Sequence, residues 1–305
     1  MTKAFSWWSE SGGPGKTTNC VNSSAAIARD GYDVVAIDLD PQRGSMTHYL
    51  GFGELTHGDQ SPTTMDVFFG DNDPREVIVE TEHFDLIPGH ESLSNFSSEL
   101  SNSGRMGMNQ FTVVRDVVED LASDYDVVVL DCQASLSDLT DNAVFAARNV
   151  LVPLELTPKG FASQEGLEAT VGAMHDGFED LGVNISIAVS VPSRVGNAKI
   201  YEQYRDQLEA AGVPVSPFSI PEHSLLKYSW DAEMDLFEFM ESEKTRDLRD
   251  YEEHVPLSYK MIGQIITGDL SQSDAVERWD AIKDQPMGDA TPEALLEDET
   301  PGVNA

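Results

Sequence analysis

Apolar residues along this chain fall into short unbroken runs, separated by longer stretches in which they recur at helical spacing. Ala4-Phe5-Ser6-Trp7-Trp8 predicts a buried strand near the start. A helix is expected over about residues 17–30, with Val21, Ala25, Ile27 and Ala28 facing inward and Gly31 as its C-terminal stop. Asp33-Val34-Val35-Ala36-Ile37-Asp38 then reads as a strand buried on both faces, ended by the turn Asp40-Pro41-Gln42. Strand, helix and strand in that span make a βαβ unit with a right-handed crossover.

Residues 52–110 are less regular and rich in Gly, Ser, Asp and Asn, with one strand expected at Phe84-Asp85-Leu86-Ile87-Pro88. A helix over about residues 111–122 leads to the clearest buried strand, Tyr125-Asp126-Val127-Val128-Val129-Leu130-Asp131. Asn149-Val150-Leu151-Val152-Pro153-Leu154 and Ile185-Ser186-Ile187-Ala188-Val189 repeat the pattern, and Phe218-Ser219-Ile220-Pro221 predicts a last short strand. This alternation implies an α/β fold: a mostly parallel twisted sheet with helices on both faces. Periodicity weakens after Ile266, so residues 1–266 read as one nucleotide-binding-sized domain and 267–305 as a short helix followed by a flexible acidic tail.

The charge balance changes the picture of the solvent more than of the chemistry. Among 305 residues, 54 Asp+Glu face 19 Lys+Arg, a formal net charge of −35, and the acids are spread along the whole chain. Such a surface repels itself at ordinary ionic strength. At 1 M salt the Debye length falls to about 3 Å and the repulsion fades. The composition therefore suggests a very salty cytoplasm, with an acidic protein seeking basic partners as the other reading. Cys20 and Cys132 are too few for a disulfide framework and fit a reducing compartment. No apolar run approaches a membrane span, so a cytoplasmic protein is expected.

Ser11-Gly12-Gly13-Pro14-Gly15-Lys16-Thr17-Thr18 carries the strongest chemical signal. Glycines let successive backbone N–H groups turn inward onto an anion. A lysine meets the β- and γ-phosphates and a hydroxyl holds Mg²⁺. The helix that follows presents its N-terminal dipole to the same charge. A phosphate-binding loop (P-loop) is the reading, although the usual Gly-x-x-x-x-Gly-Lys-[Ser/Thr] pattern would need glycine at Glu10.

At this point the chain resembles the ParA/MinD group of deviant Walker A ATPases, most closely the ParA/Soj partition proteins. Their loop has the form Lys-Gly-Gly-x-Gly-Lys-[Ser/Thr], and Ala36-Ile37-Asp38-Leu39-Asp40-Pro41-Gln42 is similar to their Asp-x-Asp-Pro-Gln segment. The likeness continues through the Walker B strand ending at Asp131, through Leu151-Val152-Pro153, and to about residue 260. The resemblance implies that Gly12, Gly13, Gly15, Lys16, Thr17 and Thr18 cradle the phosphates of ATP. It implies that Thr17 binds Mg²⁺ directly and Asp131 holds it through water. Lys16 and Asp40 would be catalytic, with Asp40 orienting the attacking water and Asp38 supporting the switch. It further implies an ATP-dependent homodimer, a ParB-like adaptor and non-specific DNA binding, with nucleoid association where DNA is bound.

Two departures from the family pattern matter. Its signature lysine would fall at Ser11, which carries no charge, and a trans-acting cation of that kind is worth about 10³–10⁵ in rate. Nucleotide binding is expected to survive through Lys16, with hydrolysis weakened. Where the family has a proline pair after the Walker B aspartate, this chain has Cys132-Gln133-Ala134. DNA binding draws on lysine and arginine, and Arg194, Lys199, Arg205, Lys227, Arg246 and Arg249 each read individually as solvated surface. A MinD-like membrane helix is disfavoured by the acidic Pro292-Glu293-Ala294-Leu295-Leu296-Glu297-Asp298-Glu299. A cluster-binding role is disfavoured because both cysteines read as buried and inert. The remaining alternative to an ATPase is a nucleotide-binding regulatory or positioning protein with little hydrolysis.

Overall fold

The computed structural model describes residues 2–13, 15–42, 45–179, 182–195, 200–243 and 254–282. β1 (Lys3–Trp7) runs through the glycine-rich turn into α1 (Lys16–Arg29), which is followed by β2 (Val34–Leu39). Gly31 adopts φ 93°, open to glycine because it has no Cβ, and this stops α1 where the sequence predicted. The irregular stretch contains α2 (Met46–Tyr49), α3 (Thr64–Phe69), β3 (Val79–Glu80), β4 (Asp85–Ile87) and α4 (Phe96–Asn102). After α5 (Val113–Leu121) come β5 (Val127–Cys132), α6 (Asp138–Ala147), β6 (Asn149–Leu154), α7 (Pro158–Phe178) and β7 (Ser186–Val195). The chain continues through α8 (Ile200–Ala210), β8 (Ile220–Pro221), α9 (Ser224–Asp231), α10 (Leu236–Glu241), α11 (His254–Thr267) and α12 (Gln272–Ile282).

The strands form one eight-stranded sheet in the order β3-β4-β2-β5-β1-β6-β7-β8. All neighbours are parallel except β3, which lies antiparallel to β4 at the edge. β5 and β6 are consecutive strands yet flank β1 on opposite sides. The connections therefore part above β1, the place where an open parallel sheet leaves a crevice at its C-terminal edge. Strand register brings the chemistry together there. Asp131 is the Cα partner of both Trp7 and Asp38, so the ends of β1, β2 and β5 are level.

Alternation along β1 shows how the two cores are divided. Trp7 belongs to the core under α1, α10 and α11, and Trp8 to the core under α5 and α6. Each fully buried aliphatic or aromatic side chain of this kind contributes about 1.5–3 kcal/mol of transfer free energy. Trp7 also satisfies its indole by donating to Ser23 Oγ on α1 at 3.1 Å. Gly263 lets α11 lie close on α1, since a Cβ there would stand 3.1 Å from Ile27 Cγ1.

The strand expected within 52–110 forms as β4, which joins the sheet by pairing with β2 at Val35↔Asp85 through Ile37↔Ile87. Beyond residue 266 the expected short helix forms as α12, and residues there pack on the sheet. Leu270 and Ala275 are buried in the core under α1, and Trp279 packs edge-on against Phe218 with centroids 5.9 Å apart. The expected acidic tail over 283–305 lies outside the described residues.

Candidate functional site

The turn after β1 takes its shape from glycine. Gly13 and Gly15 adopt φ 94° and 97°, a left-handed backbone that side chains with a Cβ resist. Gly12 faces open space, with nothing within 4 Å of a notional Cβ. Gly15 is the N-cap of α1 and offers no side-chain cap, and the first turn of that helix carries no acidic residue. The leading N–H groups and the positive end of the helix dipole are thus free to take an anion.

Lys16 opens the helix and points back over the turn, donating to the Ser11 carbonyl at 3.3 Å. Its side chain is buried, and desolvation lowers its pKa, opposed by the charges of Asp131 and Asp40. Thr17 and Thr18 are half-buried on the same first turn. Gly12, Gly13, Gly15, Lys16, Thr17 and Thr18 thus lie together on the turn after β1 and the first turn of α1, with Gly13, Gly15 and Thr18 lining one cavity.

The three carboxylates at the strand ends are unlike one another. Asp38 is fully buried and well satisfied, accepting from Thr47 N at 2.8 Å, Thr47 Oγ1 at 2.6 Å and Asp40 N at 3.1 Å. Gly89 closes over it, because a Cβ there would stand 2.7 Å from Asp38 Cγ, and its N–H donates to Thr47 Oγ1 at 2.7 Å. Asp38 thus ties β2, α2 and the turn that follows β4 into one knot that shapes the turn at Asp40. Asp40 is half-buried, and its Oδ1 accepts from Gln42 N at 3.0 Å. Burial raises its pKa, against hydrogen bonding by Gln42 and the charge of Lys16.

Asp131 differs from both. It is 1% exposed, and neither carboxylate oxygen has a donor in good hydrogen-bond geometry, the nearby Thr17 hydroxyl being its one candidate. Burial, reinforced by the neighbouring Asp38, pushes its pKa well up, while nearby Thr17 and Lys16 pull it down. A buried carboxylate without donors is expensive and calls for a cation or a proton. Mg²⁺ prefers one or two protein oxygens, with water and phosphate completing its octahedron. Thr17 and Asp131 fit that requirement. Among the described residues no group of three or more His, Cys, Asp and Glu side chains forms a metal cage. Cys20 and Cys132 are both buried, and burial raises both thiols, which keeps them protonated and unreactive.

Sequence reasoning missed a cavity of about 370 Å³ beside the loop, lined in part by Gly15, Thr18, Pro221, Leu226 and Trp230. Its walls come from the first turn of α1, the end of β8 and α9, segments about 200 residues apart in sequence. No motif marks them, although the Ile220-Pro221 strand was legible. A wider groove of about 950 Å³ begins at Leu136, which is 61% exposed in the turn after β5, and includes Phe111, Asp141, Met174 and Phe178.

Of the cations read as solvated surface, Arg194 is exposed as expected yet also holds the loop, and Arg205 is engaged instead. Arg194 donates to the Gly13 carbonyl at 3.0 Å. Arg205 donates to Ser216 O at 2.6 Å and Ser219 Oγ at 2.9 Å, and its side chain is 21% exposed. Arg194 keeps about half of its side chain in solvent, at 49% exposure, and the intramolecular acceptors of both arginines are supplied only by the tertiary structure. Lys227 is exposed as expected and pairs with Glu222 at 2.9 Å. Lys199, Arg246 and Arg249 lie outside the described residues, as does the acidic segment 292–299. Among the described residues no helix is long and apolar enough to cross a membrane.

A family model described as an AAA domain matches residues 2–186, which include the loop, Asp38, Asp40 and Asp131. The chromosome partitioning protein ParA of Caulobacter vibrioides is 34% identical over 190 residues, covering 58% of this chain and 67% of that protein. The sporulation initiation inhibitor protein Soj of Bacillus subtilis is 31% identical over 157 residues, covering 51% and 59%. Against several of its curated relatives the chain spans little more than half of their length. In fold, the ATP complex of McdA from Cyanothece superimposes with a TM-score of 0.70 at 22% identity, over 88% of this chain and 96% of that one. The eight-stranded, mostly parallel sheet is that of the P-loop ParA and MinD proteins. With a glycine-rich loop and two aspartates meeting at the level ends of β1, β2 and β5, and with that family match, the chain belongs to the ParA/MinD-type partition ATPases.

Proposed function

We propose that this chain is a Mg·ATP-dependent switch for partitioning or positioning a cargo in the cytoplasm. The observation that carries the reading is Asp131, a buried carboxylate with two unpartnered oxygens at a helix N-terminus that also holds Lys16 and Thr17. Gly12, Gly13, Gly15, Lys16, Thr17 and Thr18 bind the triphosphate, and the cavity near Trp230 takes the base and ribose. Thr17 and Asp131 hold Mg²⁺, which when bound neutralises charge on the phosphates. Asp40 orients the attacking water, and Asp38 fixes the turn that carries Asp40. Catalysis is positioning and charge stabilisation.

Nucleotide state would set homodimerisation, association with DNA and contact with a ParB-like adaptor. The exposed Leu136, five residues beyond Asp131, supports a partner that senses the turn after β5. Exposed cations among the described residues, such as Arg148, Lys159, Arg194, Lys227 and Arg278, are few against 54 acids, so DNA association rests on the family alone. The net charge of −35 supports work in concentrated salt, so assays belong in multimolar KCl.

Asp40→Ala tests the enzyme. ATP affinity by calorimetry is expected to stay within threefold of the parent while turnover falls roughly 10²-fold or more, the range for loss of a group that positions the nucleophile. Equal turnover in the variant would remove Asp40 from the mechanism. Ser11 favours the second reading, a nucleotide-binding regulator with little hydrolysis. Ser11→Lys decides between them. A rise in turnover of about 10³-fold is expected if the missing cation limits the rate. No change would mean that the limit lies elsewhere.

A further inference from the structure

We propose that Arg194 is the positioning residue of the phosphate loop, holding the Gly13 carbonyl outward and lending its charge to the bound anion. The proposal rests on the nucleotide-binding reading above. Arg194 lies near the end of β7 with φ 57°, a left-handed backbone that a residue with a Cβ adopts only when its surroundings impose it. Its Nη1 donates to the Gly13 carbonyl at 3.0 Å. Two carboxylates flank the guanidinium, Glu155 at 3.8 Å and Glu222 at 3.8 Å, both on segments that follow neighbouring strands. The preceding residue joins the clamp. Ser193 Oγ accepts from Asn19 Nδ2 at 2.9 Å on the first turns of α1, and Asn19 Oδ1 accepts from Tyr259 at 2.9 Å.

The need for such a clamp follows from the loop itself. An anion cradle works only with N–H groups turned in and carbonyls turned out, because an inward carbonyl repels phosphate. This loop has two deficits. Ser11 carries no charge where a cation would help, and Pro14 has no N–H to donate. Gly13 also has the freedom to swing its carbonyl either way. A guanidinium bonded to that carbonyl removes the freedom and places a positive charge one residue from the cradle. Arg194 therefore acts on binding rather than on the chemical step, and equally for di- and triphosphate.

The test measures ATP and ADP affinity by calorimetry in multimolar KCl with Mg²⁺, for the parent, Lys16→Ala, Arg194→Ala and Arg194→Lys, with melting of the nucleotide-free proteins alongside. Arg194→Ala is expected to raise Kd for both nucleotides about tenfold with kcat within twofold, and Arg194→Lys to recover to within threefold of the parent. Unchanged affinity in Arg194→Ala, while Lys16→Ala abolishes binding, overturns the proposal and leaves the nucleotide reading intact. A folded Arg194→Lys as weak as the alanine variant overturns it too. So does a hundredfold fall in kcat at constant affinity, which would mark a transition-state cation. Loss of DNA retention with unchanged nucleotide affinity would give Arg194 to a DNA surface instead. A parent protein that binds neither nucleotide removes the nucleotide reading and this proposal together.

Discussion

Lys16→Ala removes most nucleotide affinity: calorimetry in multimolar KCl is expected to show Kd for ATP rising about 10²-fold or more. A hydrogen bond to a charged partner contributes about 1.5–3 kcal/mol, and each 1.4 kcal/mol is about tenfold in Kd. Lys16 reaches the upper end because it is already buried and directed over the loop, so little ordering remains to be done on binding. The same burial sets its pH response. Desolvation lowers its pKa from the ordinary lysine value, so the ammonium is lost earlier as pH rises. Affinity for ATP is therefore expected to fall at alkaline pH before an exposed lysine would titrate, and the fall should be absent in Lys16→Ala. A variant that binds ATP as well as the parent would take the loop out of the site altogether.

Asp131→Asn should separate function from stability. Its expected effect on turnover is a loss of about 10²-fold or more together with loss of the Mg²⁺ requirement for tight ATP binding, since the one buried carboxylate facing Thr17 is gone. In metal-free protein the same change is expected to stabilise the fold by about 2 kcal/mol, because a buried carboxylate without donors costs roughly 1–3 kcal/mol. The pH dependence has a definite sign. The folded pKa lies above the unfolded one, so the folded state binds more protons and the parent loses stability as pH rises from the ordinary carboxylate range through the folded pKa. The variant's advantage should be largest at neutral pH and shrink on acidification. Chemical denaturation with chelator across pH measures it. Equal stability at all pH values would mean that Asp131 finds a partner in the metal-free protein.

These two residues also show a general cost of the site. Lys16 and Asp131 are each disfavoured in their charged forms by burial, yet sit close enough to moderate one another. The surrounding sheet tolerates this because β5, which carries Asp131, and β2 beside it, which carries Asp38, are otherwise apolar. β5 is buried along its whole length, and β2 likewise. A few unfavourable charges at the strand ends are offset by that burial, and the charges remain available for ligand.

Much of this protein could be read from residue order. A continuous apolar run such as Val127-Val128-Val129-Leu130 is stable only as a strand covered on both faces, and the glycines at 12, 13 and 15 have no cheaper explanation than an anion cradle. Those are local constraints of backbone sterics and hydrophobic period, and local constraints are written in adjacent residues. Asp131 could be placed at a strand end in the same way, but its lack of hydrogen-bond donors could not. That depends on what β2 and α1 bring beside it. Whether Asp38 or Asp131 would be the satisfied one depended on Thr47 and Gly89 closing over Asp38 from α2 and the end of β4. The same holds for β4 joining the sheet through β2, for Leu270 and Ala275 continuing the core beyond residue 266, and for the cavity near Trp230. Arg194 is the clearest case. Its residue type suggested solvent, where about half of it does lie, but only the parallel register that sets β7 beside β6 and β8 also brings it onto Gly13, 181 positions away in the chain.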